Sequence, residues 1–384
     1  MTDINELVRE NVKRLTPYSC ARDEFTGDSA IFMDANESPY GKLNRYPDPY
    51  QRKLKAAISK IKGIAEEKVF LGNGSDEIID LCFRVFCNPG FDKVLTFTPT
   101  YGMYEVSASI NDIKVVKIAL NEMFQIDLQQ VKPLFSDKTL KIIFICSPNN
   151  PTGNSMIYSD VEYIIKNFMG IVVIDEAYID FSEKPSFIEL VDKYPNLILM
   201  QTFSKAFGLA AVRVGMAFSN PDTIKYFNKI KPPYNISTVN QRTVLNKLER
   251  LDDYKSQVSK IKKEKERLIH KLKKMPITEK VYPTDSNFIL VKVKNANFIY
   301  NTLVDQRVII RNRSTVIDNC LRITVGKPSE NNKLIKALKK SPHKSSWIRL
   351  QNLLRESLYF LILNTNRLPK VWIPFSSKMN ISFS

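Results

Sequence analysis

Between residues 69 and 219, short apolar runs alternate with segments whose apolar residues recur at helical spacing, and nothing else constrains the fold as strongly. The runs fall at 69–71, 94–97, 115–118, 142–146, 171–174, 197–200 and 214–218. Short stretches without polar alternation suit strands covered on both faces. Strands joined by helix-length connections make a mostly parallel sheet between helices, so the chain is expected to be α/β.

The flanks read differently. Residues 1–45 are interrupted by Asn36, Ser38, Pro39 and Gly41, which suits an extended arm partly joining a smaller domain. Tyr46-Pro47-Asp48-Pro49 forces a turn, and 51–62 reads as an amphipathic helix closed by Gly63. One long charged helix is expected over 241–274, followed by strands at 287–293, 308–311 and 321–325 of an α+β unit. The expected organisation is an arm (1–45), a large domain (46–240), a small domain (241–340) and a compositionally distinct tail (341–384) holding both tryptophans, Trp347 and Trp372.

Composition narrows the function classes. Five scattered cysteines without a C-x-x-C pair, and only two histidines, argue against zinc or a disulfide framework. The start of the chain has no uninterrupted apolar stretch of the signal-peptide kind, and no apolar run approaches spanning length. A cytoplasmic protein with no membrane partner is expected. The net charge of +17 comes mainly from lysine rather than the forked guanidinium preferred in phosphate and base recognition. The basic residues follow a helix and the tail without interleaved aromatics, so no nucleic-acid partner is expected.

Five motifs carry chemistry. In Thr202-Phe203-Ser204-Lys205, a lysine just past a buried strand sits where desolvation and a nearby cation lower its pKa and leave neutral amine for imine formation. A surface lysine is the bland alternative. Ser204 and Arg213 suit a phosphate. Asp175 ends an apolar strand, the place where α/β sheets bind ligands. A nucleotide-hydrolase reading of Asp175-Glu176 fails, because no G-x-x-x-x-G-K-[ST] loop exists. Gly72-Asn73-Gly74-Ser75-Asp76-Glu77 opens a helix whose first N–H groups attract an anion, with an N-cap by Ser75 or Asp76 as the plainer reading. Tyr101 follows another strand, where a ring can cover a flat cofactor or simply fill the core. Ser147-Pro148-Asn149-Asn150-Pro151-Thr152-Gly153 turns the Asn150 amide into the same crevice, with Tyr178 nearby.

Together these motifs resemble the fold type I (aspartate aminotransferase-like) pyridoxal-phosphate enzymes. Leu15-Thr16-Pro17-Tyr18, Asp34-Ala35-Asn36-Glu37, Arg45-Tyr46-Pro47 and Leu321-Arg322-Ile323-Thr324-Val325-Gly326 make the chain similar, over about 8–338, to the histidinol-phosphate aminotransferase group. The resemblance implies a seven-stranded large domain, a pyridoxal 5'-phosphate cofactor and a homodimer. It implies an aminotransferase that converts L-histidinol phosphate and 2-oxoglutarate to imidazole acetol phosphate and L-glutamate in histidine biosynthesis. It makes Lys205 the catalytic Schiff-base lysine, Asp175 the partner of the ring nitrogen, and Asn150 and Tyr178 the partners of the ring oxygen. Tyr101 would stack on the ring. Ser75, Asp76 and Glu77, with Thr202, Ser204 and Arg213, would form the phosphate end of the cofactor site, and Tyr46 would reach the neighbouring subunit's phosphate. Tyr18, Asn36, Arg311 and Arg322 match substrate-binding positions; strand alternation leaves Arg313 as a substitute for Arg311. Arg307 stands where the group has a glycine, so a turn needing positive φ would be strained. Alternatives within the fold are a threonine-phosphate decarboxylase and an aromatic amino acid aminotransferase. A ligand-sensing regulator would need a DNA-binding helix-turn-helix, for which residues 1–45 are too short and turn-rich.

Overall fold

The computed structural model describes residues 3–18 and 31–340; the tail and Cys20 lie outside the described residues. The apolar runs form β1 (Val69–Gly72), β2 (Lys93–Thr98), β3 (Lys114–Ala119), β4 (Leu140–Cys146), β5 (Ile171–Asp175), β6 (Leu197–Thr202) and β7 (Gly215–Ser219). They make one seven-stranded sheet in the order β1-β7-β6-β5-β4-β2-β3, parallel except for β7, which runs antiparallel to both neighbours.

Successive side chains of a strand point to opposite faces, and here both faces are buried. Leu71, Ile143, Val172, Leu199 and Phe218 pack on one side against the helices Arg52–Lys62, Tyr158–Asn167 and Thr238–Leu248. Phe70, Phe144, Val173, Met200 and Ala217 pack on the other against Ser75–Phe86 and Pro221–Ile230. Residues 3–15, expected in part with the smaller unit, pack here instead. Ile4, Val8 and Val12 join this second core, and the Arg9 N–H donates to the Val85 carbonyl. Ile4 and Val12 sit in two short helices, Ile4–Leu7 and Glu10–Arg14, and Val8 is the extended residue that ends the first.

A second, wholly antiparallel sheet comprises β8 (Thr278–Val281), β9 (Phe288–Val293), β10 (Arg311–Asn312) and β11 (Cys320–Thr324), in the order β10-β11-β9-β8. Its core joins Ile289, Val291, Leu321 and Ile323 to Leu268, Leu272, Leu303 and Leu334 from three helices. Strand β8 escapes sequence reading because its pattern, Thr-Glu-Lys-Val, buries little.

The expected single helix over 241–274 is two, Thr238–Leu248 and Leu251–Lys273, broken at Arg250 (φ −119°, ψ 50°). Val244 and Leu248 belong to the large sheet's core, whereas Leu268 and Leu272 belong to the small one's. One straight rod cannot serve both. The boundary expected at 240/241 therefore falls inside the first helix.

The strand expected over 308–311 shrinks to β10, with Ile309 71% exposed. Helix Ala296–Asp305 ends in a Schellman-type cap: the Arg307 N–H donates to the Val304 carbonyl (2.8 Å) and the Val308 N–H to the Leu303 carbonyl (2.8 Å). Arg307 occupies the left-handed position at φ +58°. The strain expected of this arginine is located there. Arg307→Gly should stabilise the protein by about 0.5–1 kcal/mol, because relief of the left-handed side chain outweighs the added freedom of the unfolded chain. Chemical denaturation checks this; a midpoint unchanged or lowered would contradict it.

Candidate active site

The carboxyl ends of β4, β5 and β6 open onto a crevice of about 350 Å³. Loops after β1 and β2 close one side, and the small sheet supplies the opposite wall. Asp175 ends β5 and is buried. Its Oδ2 accepts from the Tyr104 hydroxyl (2.7 Å) and its Oδ1 from the Ala177 N–H (3.0 Å). Burial pushes its carboxyl above the usual range, while these two donors and Lys205 draw it back. Glu176, one residue on, faces the other way and accepts from Ser186, the Phe187 N–H and Gln201. Its burial pushes it up to about 7. Strand alternation thus sends one carboxylate to the crevice and the other into the fold.

Lys205 follows β6 and lines the crevice with its Nζ 5.5 Å from the Tyr178 ring centroid. Burial, then the Arg322 guanidinium, lowers its pKa below that of an ordinary lysine. Asn150 reaches in from the loop after β4, with its Nδ2 3.4 Å from the Tyr178 hydroxyl and its Oδ1 accepting from Arg322. The Tyr178 ring meets Phe288 edge-on at 5.1 Å.

At the other end, helix Ser75–Phe86 begins on Gly74 (φ +76°) without a side-chain cap. Ser75 and Asp76 are therefore the first helical residues, and neither is the N-cap. Both line the crevice, where the first N–H groups and the dipole of a helix favour negative charge. Arg213, itself left-handed at φ +53°, donates to Asp76 Oδ2 (3.1 Å). A Cβ on Gly74 would collide with the Arg213 guanidinium. Tyr101 donates to Asp76 Oδ1 (3.2 Å), and Thr202 and Ser204 complete this end.

Not every expected site residue lies here. Glu77 does not line the crevice. Its side chain folds back to accept from the Asn73 N–H and from Asn235 Nδ2 (2.8 Å), pinning the glycine loop in the manner of a capping box. Tyr46 stacks on Tyr234 (4.4 Å, 13°) and lines a separate cavity with Asn36 and Ser237. Tyr18 is 72% exposed at the end of a described segment. Of the four expected substrate residues, Arg311 and Arg322 line the crevice, and Arg313 lines it beside them. Tyr104 went unread in the sequence. The signal available was its spacing: Tyr101 and Tyr104 lie three apart at a helix start, which puts both rings on one side, and they meet edge-on at 5.6 Å.

With this geometry in place, the relatives agree. The family model for aminotransferase class I and II matches residues 29–338. The chain belongs to that family. A histidinol-phosphate aminotransferase from Parabacteroides distasonis is 50% identical over 342 residues, 88% of this chain and 99% of the relative. One from Cytophaga hutchinsonii is 47% identical over 88% of this chain and 98% of its own. The crystal structure of the histidinol-phosphate aminotransferase from Clostridium acetobutylicum superposes with a TM-score of 0.72 at 27% identity, covering 77% of this chain and 90% of that one.

Family membership brings pyridoxal 5'-phosphate, and the residues fit it. An amine of lowered pKa, a buried carboxylate and an uncapped helix start in a cradle that a Cβ on Gly74 would fill lie in one crevice. Tyr104→Phe should weaken cofactor retention about 10-fold or more, since a lost hydrogen bond to a buried charge costs roughly 1.5–3 kcal/mol. Equilibrium dialysis with absorbance of the bound cofactor reads this. Retention equal to wild type would show that Asp175 does not depend on Tyr104.

Proposed function

We propose that the protein transfers the amino group of L-histidinol phosphate to 2-oxoglutarate, giving imidazole acetol phosphate and L-glutamate, as a step of histidine biosynthesis. The observation that carries this reading is the wall of guanidiniums, Arg311, Arg313 and Arg322, across the crevice from Lys205. It sits in a chain about half identical to relatives bearing that enzyme's name. When bound, pyridoxal phosphate supplies an aldehyde that bonds amines and a ring that accepts the electron pair released at the substrate carbon.

The chain's own residues do the rest. Lys205 Nζ holds the cofactor between turnovers and moves the proton at the substrate carbon. Asp175 keeps a proton on the ring nitrogen, and Asn150 and Tyr178 fix the ring oxygen. Tyr101 covers the ring. Ser75 and Asp76 N–H groups, Thr202, Ser204 and Arg213 hold the phosphate, although Arg213 must then share its fork with Asp76. Arg311 and Arg322 bind the substrate's anionic end: a phosphoester in one half-reaction and a carboxylate in the other.

A homodimer belongs to the same proposal. Tyr46, half-exposed and outside its own crevice, would serve a neighbour's, and Asn36 lines the same cavity as Tyr46. No helix among the described residues is long and apolar enough to cross a membrane, in keeping with a cytoplasmic enzyme.

The holoenzyme should form glutamate from histidinol phosphate and 2-oxoglutarate, and Lys205→Ala should abolish this. Release of carbon dioxide from threonine phosphate instead would overturn the reading. The amine must be neutral to bond the aldehyde, so cofactor uptake by the stripped protein should rise with pH and level off below the ordinary lysine value of 10.5. Arg322→Gln removes a nearby positive charge and should move that rise to higher pH. An unmoved or downward-shifted profile would refute the assignment of Arg322 as a cause.

A further inference from the structure

The guanidinium wall holds more positive charge than its own protein partners answer. Arg311 lies directly opposite Arg322 in the β10–β11 pairing, and like charges placed so repel. The Arg313 N–H donates to the Cys320 carbonyl (2.9 Å), so the pairing continues one residue beyond β10 and returns the Arg313 side chain to the face of Arg311. Within the crevice, Asp76 is engaged by Arg213, and Asp175 by Tyr104 and Ala177. None of the three wall arginines forms an ion pair among the described residues. The Nε atoms of Arg313 and Arg322 and the hydroxyl of Ser314 are buried with no hydrogen-bond partner. Burial and the two neighbouring arginines also lower the pKa of Arg313. Buried donors left unmade are costly, and the two guanidiniums that carry them on this wall suit a strong acceptor.

The two anions of the reaction differ in how much of this seat they fill. A carboxylate has one charge and two acceptor oxygens, which a single guanidinium fork satisfies. A phosphate monoester has nearly two charges and three acceptor oxygens. Arg311 and Arg322 therefore suffice for a carboxylate. A phosphoester leaves an oxygen and part of its charge to be met, and Arg313 lines the crevice beside the other two.

We propose that Arg313 is the residue that makes this crevice prefer a phosphoester to a carboxylate. This rests on the substrate reading above. Replacing Arg313 takes away a charged donor that only the phosphate uses in full, and the dicarboxylate keeps its two arginines.

The test compares wild type, Arg313→Gln and Arg313→Lys as holoenzymes, after the absorbance of the bound cofactor shows each to be loaded. Calorimetric titrations use inorganic phosphate and glutarate, a dicarboxylate that cannot react. Single-turnover half-reactions use histidinol phosphate and glutamate. Arg313→Gln should weaken phosphate binding, and lower kcat/KM for histidinol phosphate, by roughly 10- to 100-fold, the usual worth of a hydrogen bond to a charged group. Glutarate binding and the glutamate half-reaction should stay within about threefold, since Arg311 and Arg322 still meet the carboxylate. Arg313→Lys, which keeps the charge and loses the fork, should fall between. Equal losses for both anions, or none for phosphate, would overturn the proposal. If wild type fails to react with histidinol phosphate, the substrate reading falls, while the phosphate and glutarate titrations still decide the role of Arg313.

Discussion

The active crevice depends on how closely β7 approaches the loop after β1. Gly215 pairs with Gly72 on one side and with Thr202 on the other. A Cβ at Gly215 would stand 2.6 Å from the Ser75 nitrogen and 2.7 Å from the Gly74 carbonyl carbon, distances that force something to move. Without that side chain, the helix start at Ser75, the end of β6 and Arg213 just before β7 converge on one point. The reversed direction of β7 is what makes this possible. An antiparallel strand begins where its parallel neighbours end, so Arg213 arrives at the same edge as Asp175 and Lys205.

The small sheet matters to the chemistry because it delivers positive charge to that edge. Its position is set by polar contacts with the loop after β4. The Asp285 N–H donates to the Gly153 carbonyl (2.7 Å), the Ser155 N–H donates to Asp285 Oδ2 (3.0 Å), and Arg322 donates to Asn150. A Cβ on Gly153 would strike the Thr284 side chain at 2.5 Å, so glycine is again what permits the approach. Asn150 thereby links both walls, with its amide nitrogen toward Tyr178 and its oxygen on Arg322. The arginines of the small sheet are thereby held against Asn150 and Tyr178 of the large one.

Much of this was legible in the sequence. The seven apolar runs became seven strands because continuous β-branched and aromatic residues have no solvated face to offer. Lys205, Asp175 and Asn150 were readable because each lies at or just past the end of a strand, and strand ends in such sheets share one edge. Arg307 stood out only against the resemblance, which sets a glycine there, and the chain does take a left-handed turn at that residue. Contacts between distant segments were harder. Tyr104 went unread, and only the fold sets its hydroxyl against Asp175, 71 residues away. Glu77 shared a motif with Ser75 and Asp76, yet its side chain turns back onto the loop. The break at Arg250 followed from two cores competing for one helical segment.

The sequence by itself showed most of the elements, the edge where the strand ends gather and several of the groups that stand there. These depend on periodicity, on turn residues and on the order of strand ends, all of which are local. Tertiary structure decided which charges remain unanswered. That Asp76 is engaged by Arg213 while Arg313 and Arg322 keep buried, unpaired donors is a matter of distances across the crevice. Electrostatic and hydrogen-bonding energies fall off over a few ångströms, and residues more than 100 positions apart acquire such distances only when the chain is folded.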